Sequence, residues 1–234
     1  KKLEELESLS AAEKANMLFI VQDPYTSYYD AKVVRDFVAL TQKLGFEPIL
    51  LPFKPNGKAM HIKGFLTRFS KTAKTQAEFL NRVAKLNVPL VGVDPAIVLS
   101  YRDEYKEVLG DSRGDFHVLT AHEWLTNQLE SNALQSAVKN IAKSDRTFEW
   151  HLFPHCTEST FMPNSPKEWQ NIFAQFGQTL KIEKVGCCGM AGVFGHEVQN
   201  QTMSKDIYNV SWAKNYKVKI QIIALQPAIP AVAK

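Results

Sequence analysis

Apolar positions along the chain fall into short unbroken runs alternating with stretches of helical period. Met17-Leu18-Phe19-Ile20-Val21 is five apolar residues in a row, the pattern of a parallel strand buried on both faces. Asp23-Pro24 closes it, since proline removes a ladder donor and restricts the residue before it. A loop carrying Tyr25, Tyr28 and Tyr29 leads to a helix with Val33, Val34, Phe37, Val38 and Leu44 at helical spacing, and Gly45 suits its C-terminal cap. Pro48-Ile49-Leu50-Leu51 reads as a second strand, followed by the polar loop Lys54 to Lys58. Residues Gln76 to Leu86 form another amphipathic helix, and Val88 to Val93 a third strand that Asp94-Pro95 ends as Asp23-Pro24 ended the first. Strand, helix, strand, helix, strand with right-handed crossovers is an α/β plan.

The second half repeats that plan. Glu149-Trp150-His151-Leu152-Phe153 is a strand stopped by Pro154, with Cys156 just beyond. Trp169, Ile172, Phe173 and Phe176 mark a helix that closes at Gly177. Leu180 to Val185 is the next strand, and Gly186-Cys187-Cys188-Gly189 lies on the loop after it. Aligning Gly45 with Gly177 brings Gly57-Lys58 near Cys187-Cys188, so the two halves are expected to be an internal duplication. The predicted fold class is α/β: two similar halves, each a small parallel sheet flanked by helices. The expected division is a lead-in helix over 1–16, a first half over 17–110, a helical connector over 111–146 around Trp124, Leu125 and Leu129, and a second half over 147–234.

Composition narrows the function. At 234 residues with 45% hydrophobic and 22% charged residues, the chain can bury a core without disulfide or metal staples. A net charge of +4, dispersed along the chain, gives no reason to expect nucleic acid as a partner. No apolar run reaches the ~18 residues of a membrane span, and the acidic, helical start does not read as a signal peptide. No dinucleotide fingerprint, P-loop or G-x-S-x-G elbow is present, so the chain reads as a module without its own flavin or nucleotide site.

Three cysteines cannot build a disulfide framework, and two are adjacent, which favours ligand or redox chemistry in a reducing compartment. Cys156, Cys187 and Cys188 fall on loops after strands, where open α/β sheets place their sites. Thiolates are soft ligands for iron–sulfur clusters or zinc. Four-sulfur ligation needs one more thiolate than the chain has, and His155, His151 and His196 are the candidates to complete a mixed site. The alternative for each histidine is a hydrogen-bonded structural role, and for each cysteine a place in the core. The first half has no cysteine and is expected to bind no cluster, with Asp23, Asp94 and His61 as candidates for a hard or zinc-like ion. Lys54, Lys58, Lys63, Arg68, Lys71 and Lys74 form a basic region beside His61, either a lip facing a substrate carboxylate or a partner domain or, more commonly, ordinary solvated charge.

Gly186-Cys187-Cys188-Gly189-Met190-Ala191-Gly192, with His155-Cys156-Thr157-Glu158 upstream, resembles the cysteine-rich "CCG" domain of electron-transfer subunits. Those include heterodisulfide reductase, glycolate oxidase iron–sulfur subunits and anaerobic glycerol-3-phosphate dehydrogenase. The match is closer to the C-terminal part of large flavin- and iron–sulfur-containing D-2-hydroxyacid dehydrogenases, of the D-lactate or D-2-hydroxyglutarate type. Val21 to Asp30, Leu51 to Lys58, Gly92 to Pro95 and Tyr101 to Tyr105 look like corresponding stretches there. The resemblance implies a metal or iron–sulfur module with Cys156, Cys187, Cys188 and His155 as ligands. It implies FAD bound by the parent enzyme and not by this chain, and upstream flavin and ferredoxin-like domains as partners, with a homo-oligomer open. It places the protein in the cytoplasm, peripheral to the inner membrane through the parent. The alternative is a non-catalytic scaffold that docks on the flavin domain or forms the oligomer; a stand-alone thiol–disulfide enzyme ranks last, because adjacent cysteines suit that role poorly. The family pattern continues with a further cysteine, so a segment near 214–220 is expected to be missing.

Overall fold

A computed structural model describes residues 3–130, 134, 137, 138, 149–216, 222 and 223. The chain divides into two compact units, residues 1–124 and 125–234.

The first unit is built on a four-stranded, all-parallel sheet in the order β2-β1-β3-β4, with β1 Met17–Val21, β2 Glu47–Leu50, β3 Leu90–Gly92 and β4 Val118–Thr120. All five residues of β1 are buried, as its unbroken apolar run requires of a central strand. Pro48 is tolerated because β2 is an edge strand, where a missing donor costs little. Two short helices precede β1, α1 Leu3–Glu7 and α2 Ala11–Lys14, where the pattern suggests one lead-in. The break falls at Ser10, whose hydroxyl caps Glu13 N while the Glu13 carboxylate returns to Ser10 N.

The tyrosine-bearing stretch is helical, not loop. Asp23 accepts the Tyr25 and Thr26 backbone N–H groups, Pro24 supplies the first helical position, and α3 spans Pro24–Tyr28 before α4, Ala31–Lys43. After β2, Gly57 in a left-handed conformation opens α5, Lys58–Ile62. The next helix, α6, runs Leu66–Ala84 and so begins ten residues earlier than its apolar period suggests. Phe69 and Ala73 continue the buried stripe of Ala77, Leu80 and Val83 beneath the lysines that obscure it. Helix α7 spans Pro95–Arg102 and α8 Glu104–Leu109.

The stretch expected to be a helical connector contains β4, which pairs with β3 (Leu90 with Val118, Gly92 with Thr120) before α9, Ala121–Glu130. Side chains hold this strand in place. The Arg113 guanidinium donates to the Tyr101, Gly114 and Phe116 carbonyls, and Asn81 donates to the Arg113 carbonyl and accepts from Asp115 N and Phe116 N. Arg102 forks onto Glu123 at 2.9 and 2.5 Å and also donates to the Val118 carbonyl.

The second unit carries a parallel sheet ordered β6-β5-β7, with β5 Glu149–Leu152, β6 Thr179–Ile182 and β7 Ile222–Ile223. Its helices are α10 Cys156–Phe161, α11 Ser165–Gln175 and α12 Gln201–Tyr216. The expected duplication is present in the pairing itself. Met17 pairs with Glu47 and Glu149 with Thr179, while Phe19 pairs with Leu90 and His151 with Ile222, so every partner is displaced by 132 residues. The left-handed glycines obey the same displacement: Gly45 and Gly177 at φ 89° and 69°, Gly57 and Gly189 at 81° and 86°. Pro95-Ala96-Ile97 recurs as Pro227-Ala228-Ile229, the second copy lying outside the described residues.

The segment from β6 to β7 has the same length as its counterpart in the first unit. Thr179 and Ile222 stand as far apart in sequence as Glu47 and Leu90, so the deletion expected near 214–220 is not seen in this comparison. Residues 217–220 themselves lie outside the described residues.

Candidate functional site

The thiols follow the neighbouring strands β5 and β6 of the second sheet at its carboxyl edge, Cys156 in the helix after β5 and Cys187 and Cys188 on the loop after β6. Cys156 is the first residue of α10 and is exposed. Its neighbour His155 is the N-cap, and the ring Nδ1 accepts the Thr157 N–H at 3.2 Å. That bond uses the Nδ1 lone pair and leaves the proton of a neutral ring on Nε2, so in this geometry His155 serves the helix. His155 occupies the position of Asp23, 132 residues earlier, which caps α3 the same way.

Cys187 and Cys188 face different surroundings. Cys187 is exposed, its sulfur 3.4 Å from the Gly189 N–H. Cys188 is 8% exposed and packs in a small core with Phe153 and Trp212. The loop is held by α12: the Trp212 indole donates to the Gly186 carbonyl at 2.9 Å, and the Ser211 hydroxyl accepts the Gly186 N–H at 3.0 Å. Gly189 is required twice, by its φ of 86° and because a Cβ there would lie 2.1 Å from the Ser204 carbonyl oxygen. Ser204, Ser211 and Trp212 are therefore part of the site's construction. Sequence reasoning missed them because a serine and a tryptophan on a helix carry no sign of what they hold.

The other histidines do not join the thiols. His151 is buried on β5, its Nδ1 2.6 Å from Glu183 and its Nε2 3.3 Å from Glu149. His196 lies in a 3-10 turn, Phe194–His196. Among the described residues no three of histidine, cysteine, aspartate and glutamate stand where they could share one metal ion. The donor chemistry of three thiols suits iron–sulfur or zinc, but their present placement is not a closed ligand set.

The equivalent place in the first unit is filled by oxygen chemistry. Asp23 and Asp94 follow the adjacent strands β1 and β3, cap α3 and α7, and are both buried. Burial first, and then the charge of Asp94, push the Asp23 carboxyl up to about 6, against the hydrogen bonds from Thr26 and Tyr25. Asn56, at the position of Cys188, accepts the Lys58 N–H through its side chain, while its carbonyl accepts the Tyr105 hydroxyl at 2.6 Å. Lys58 pairs with Glu104. His61 is not brought to the two aspartates as a third ligand; its ring lies 4.8 Å from that of Phe69. Of the tyrosines, Tyr28 and Tyr29 are exposed and Tyr28 meets Phe53 edge-on, whereas the Tyr25 hydroxyl is buried.

The chain spans about a fifth of the length of the curated relatives it matches. Proteins named D-2-hydroxyglutarate dehydrogenase from Haemophilus influenzae, Escherichia coli and Pseudomonas putida are 80%, 58% and 38% identical to it. The matches cover 92%, 90% and 89% of this chain and 21%, 20% and 20% of those proteins. One polypeptide of the anaerobic glycerol-3-phosphate dehydrogenase of Escherichia coli is 24% identical over 78% of the chain and 46% of its own length. No family model and no solved structure matches. The resemblance drawn from the double-cysteine motif is thus upheld: the chain is homologous to a section of these dehydrogenases. Among the described residues no helix is long and apolar enough to cross a membrane.

Proposed function

We propose that this chain works as the cysteine-bearing section of a D-2-hydroxyglutarate dehydrogenase, with the flavin held elsewhere in the same polypeptide. In this reading Cys156, Cys187 and Cys188 bind an iron–sulfur cluster or a zinc ion. The observation that supports it most directly is three thiols following neighbouring strands at the carboxyl edge of one parallel sheet, in a chain homologous over nine-tenths of its length to such dehydrogenases. A bound cluster would supply a one-electron relay for electrons leaving the flavin. The protein's own part is to hold the Gly186–Gly189 loop against α12 and to set the burial around sulfur.

A second reading, a docking scaffold without metal, is favoured by the position of Cys188 in the Phe153–Trp212 core. The two readings separate on one experiment. Because Cys188 packs with Trp212, drawing its sulfur onto a metal must disturb that indole. Anaerobically purified protein is expected to contain iron or zinc, and removing it with chelator is expected to change Trp212 emission and near-ultraviolet dichroism. Cys187→Ser and Cys188→Ser in the whole dehydrogenase are expected to lower the metal content. Metal-free protein from anaerobic cells, with both variants unchanged in metal and fold, would leave the scaffold. The isolated chain is expected to oxidise no hydroxyacid.

A further inference from the structure

The turn between α5 and α6 presents a surface that the core of the first unit does not use. Residues 62–68 are all exposed, and three of them are large and apolar: Ile62, Phe65 and Leu66 are 37%, 54% and 56% exposed. Leu66 lies one and two helical turns before the buried Phe69 and Ala73, so α6 carries its apolar stripe past the edge of the core. Phe65 is the N-cap of α6 and makes no capping bond, where serine, threonine, aspartate or asparagine would stabilise the helix. The turn is nonetheless fixed. The Phe65 N–H donates to the Met60 carbonyl and the Gly64 N–H to the His61 carbonyl, both at 2.9 Å, with Gly64 at a φ of 75°. A preformed apolar surface loses little entropy on association.

The charge around it has one sign. None of the 24 acidic residues falls between Glu47 and Glu78, while six basic ones do. That +6 exceeds the +4 of the whole chain and leaves −2 for the rest. Lys58 is paired with Glu104, and Lys54 lies over the Phe79 ring. Arg68, Lys71 and Lys74 follow at three-residue steps on the exposed side of α6, opposite Phe69, Ala73 and Ala77. Among the described residues no carboxylate pairs with these three, and the Arg68 guanidinium lies 5.8 Å from the Phe65 ring centre. Like charges one turn apart repel, and an acidic surface laid against them removes that cost.

An aromatic and an arginine at an apolar centre, with a charged rim, is the anatomy of a protein interface. The chain matches only about a fifth of its dehydrogenase relatives, so most of such a polypeptide lies outside it. We propose that the α5–α6 turn docks on an acidic surface with an apolar centre, carried by the dehydrogenase polypeptide outside this chain. Ile62, Phe65 and Leu66 fill the centre, and Arg68, Lys71 and Lys74 meet its carboxylates. This rests on the chain being a section of such an enzyme, and not on what the thiols bind.

The test compares the whole dehydrogenase with this chain by itself, using hydroxyl-radical footprinting. Phe65 and Leu66 are expected to react about tenfold or more slowly in the whole enzyme, because a docked centre excludes water. Carbodiimide coupling is expected to join Lys71 or Lys74 to an aspartate or glutamate outside this section. Lys71→Glu with Lys74→Glu is expected to return Phe65 in the whole enzyme to within about twofold of its rate in the isolated chain, through like-charge repulsion. Phe65→Ser gives α6 a capping hydroxyl. It is expected to raise the melting temperature of the isolated chain while making Leu66 more reactive in the whole enzyme, two effects that a purely structural Phe65 would not combine. Equal reactivity of Phe65 in the two samples would overturn the proposal. Coupling only to carboxylates of this same section would do so in favour of a second copy, and protection only on adding anionic lipid vesicles in favour of a membrane surface. Iron and zinc analysis of the same samples keeps the two readings apart. Metal-free enzyme with Phe65 protected sinks the thiol site alone, and metal-loaded enzyme with Phe65 reactive sinks the docking alone.

Discussion

Three glycines with nearly equal backbones separate conformational strain from steric contact. Gly45, Gly57 and Gly189 have φ of 89°, 81° and 86°. A Cβ at Gly45 meets nothing within 4 Å, at Gly57 it meets Phe69 Cδ2 at 2.8 Å, and at Gly189 the Ser204 carbonyl oxygen at 2.1 Å. Alanine at each position carries the same left-handed penalty, about 1–2 kcal/mol, and the same small gain from a stiffer unfolded chain, about 0.4–1 kcal/mol. Gly45→Ala therefore measures the conformational part alone. In Gly57→Ala the Phe69 ring can swing, adding about 1 kcal/mol of repacking. In Gly189→Ala the obstacle is backbone inside α12, so the loop or the helix must shift, adding about 2–3 kcal/mol. The assay is urea unfolding of each variant, with amide exchange of β1 and β5 peptides assigning the loss to the first or second unit. The expected order of destabilisation is Gly45→Ala, Gly57→Ala, Gly189→Ala. A Gly189→Ala loss within ~0.5 kcal/mol of the Gly45→Ala loss would refute the reasoning.

Two carboxylates of the first unit should slope in opposite directions with pH. Burial, followed by Asp94, raises Asp23, so with chelator present its contribution is full below about 4 and lost as pH rises through about 6. Asp23→Asn keeps the cap and should gain up to about 3 kcal/mol over wild type between pH 4 and 8; equal stability at both pH values, by urea unfolding, would contradict this. Burial alone would raise Glu123, but the Arg102 fork and the Thr120 N–H hold it below the usual carboxylate range. Glu123→Gln should therefore cost about 1–3 kcal/mol at pH 7, with wild type and variant converging as acid protonates the carboxylate. Trp212→Phe deletes the bond to the Gly186 carbonyl and should cost about 1 kcal/mol. It should also speed amide exchange over 186–192 while leaving β1 peptides unchanged, and uniform protection would count against the clamp.

Much of this architecture could be read from the chain because its signals were local. The β1 run, the two Asp-Pro stops and the glycines after α4 and α11 each fix one backbone event by steric or capping rules, and each lies where those rules put it. β4 escaped because three residues carry too little pattern, and the Arg113 and Asn81 contacts that hold it come from distant positions. α6 was read short because Lys71 and Lys74 outweigh the small buried residue Ala73 in any count of apolar positions. At the site, Cys187 and Cys188 lie on a loop as their glycine flanks suggest, while Cys156 opens a helix where a loop is expected. The sequence could not show that Cys188 turns into a core, since that depends on Trp212, 24 residues later on another element.

The two copies make the meaning of these differences testable, because one backbone plan presents two chemistries. Asp23 and His155 cap equivalent helices, Asn56 and Cys188 are both buried, and Gly57 and Gly189 turn the chain alike. In the first unit the surrounding side chains lock the loop shut: Tyr105 holds the Asn56 carbonyl, Glu104 pairs with Lys58, and Phe69 lies against Gly57. In the second the corresponding loop is held from one side by α12, while Cys156 and Cys187 remain exposed. A loop closed by tyrosine and an ion pair cannot move without breaking buried bonds, whereas the one anchored at Gly186 keeps the Cys187 thiol at the surface. That difference makes the loop of the first copy the more rigid of the two and leaves two thiols exposed at the second.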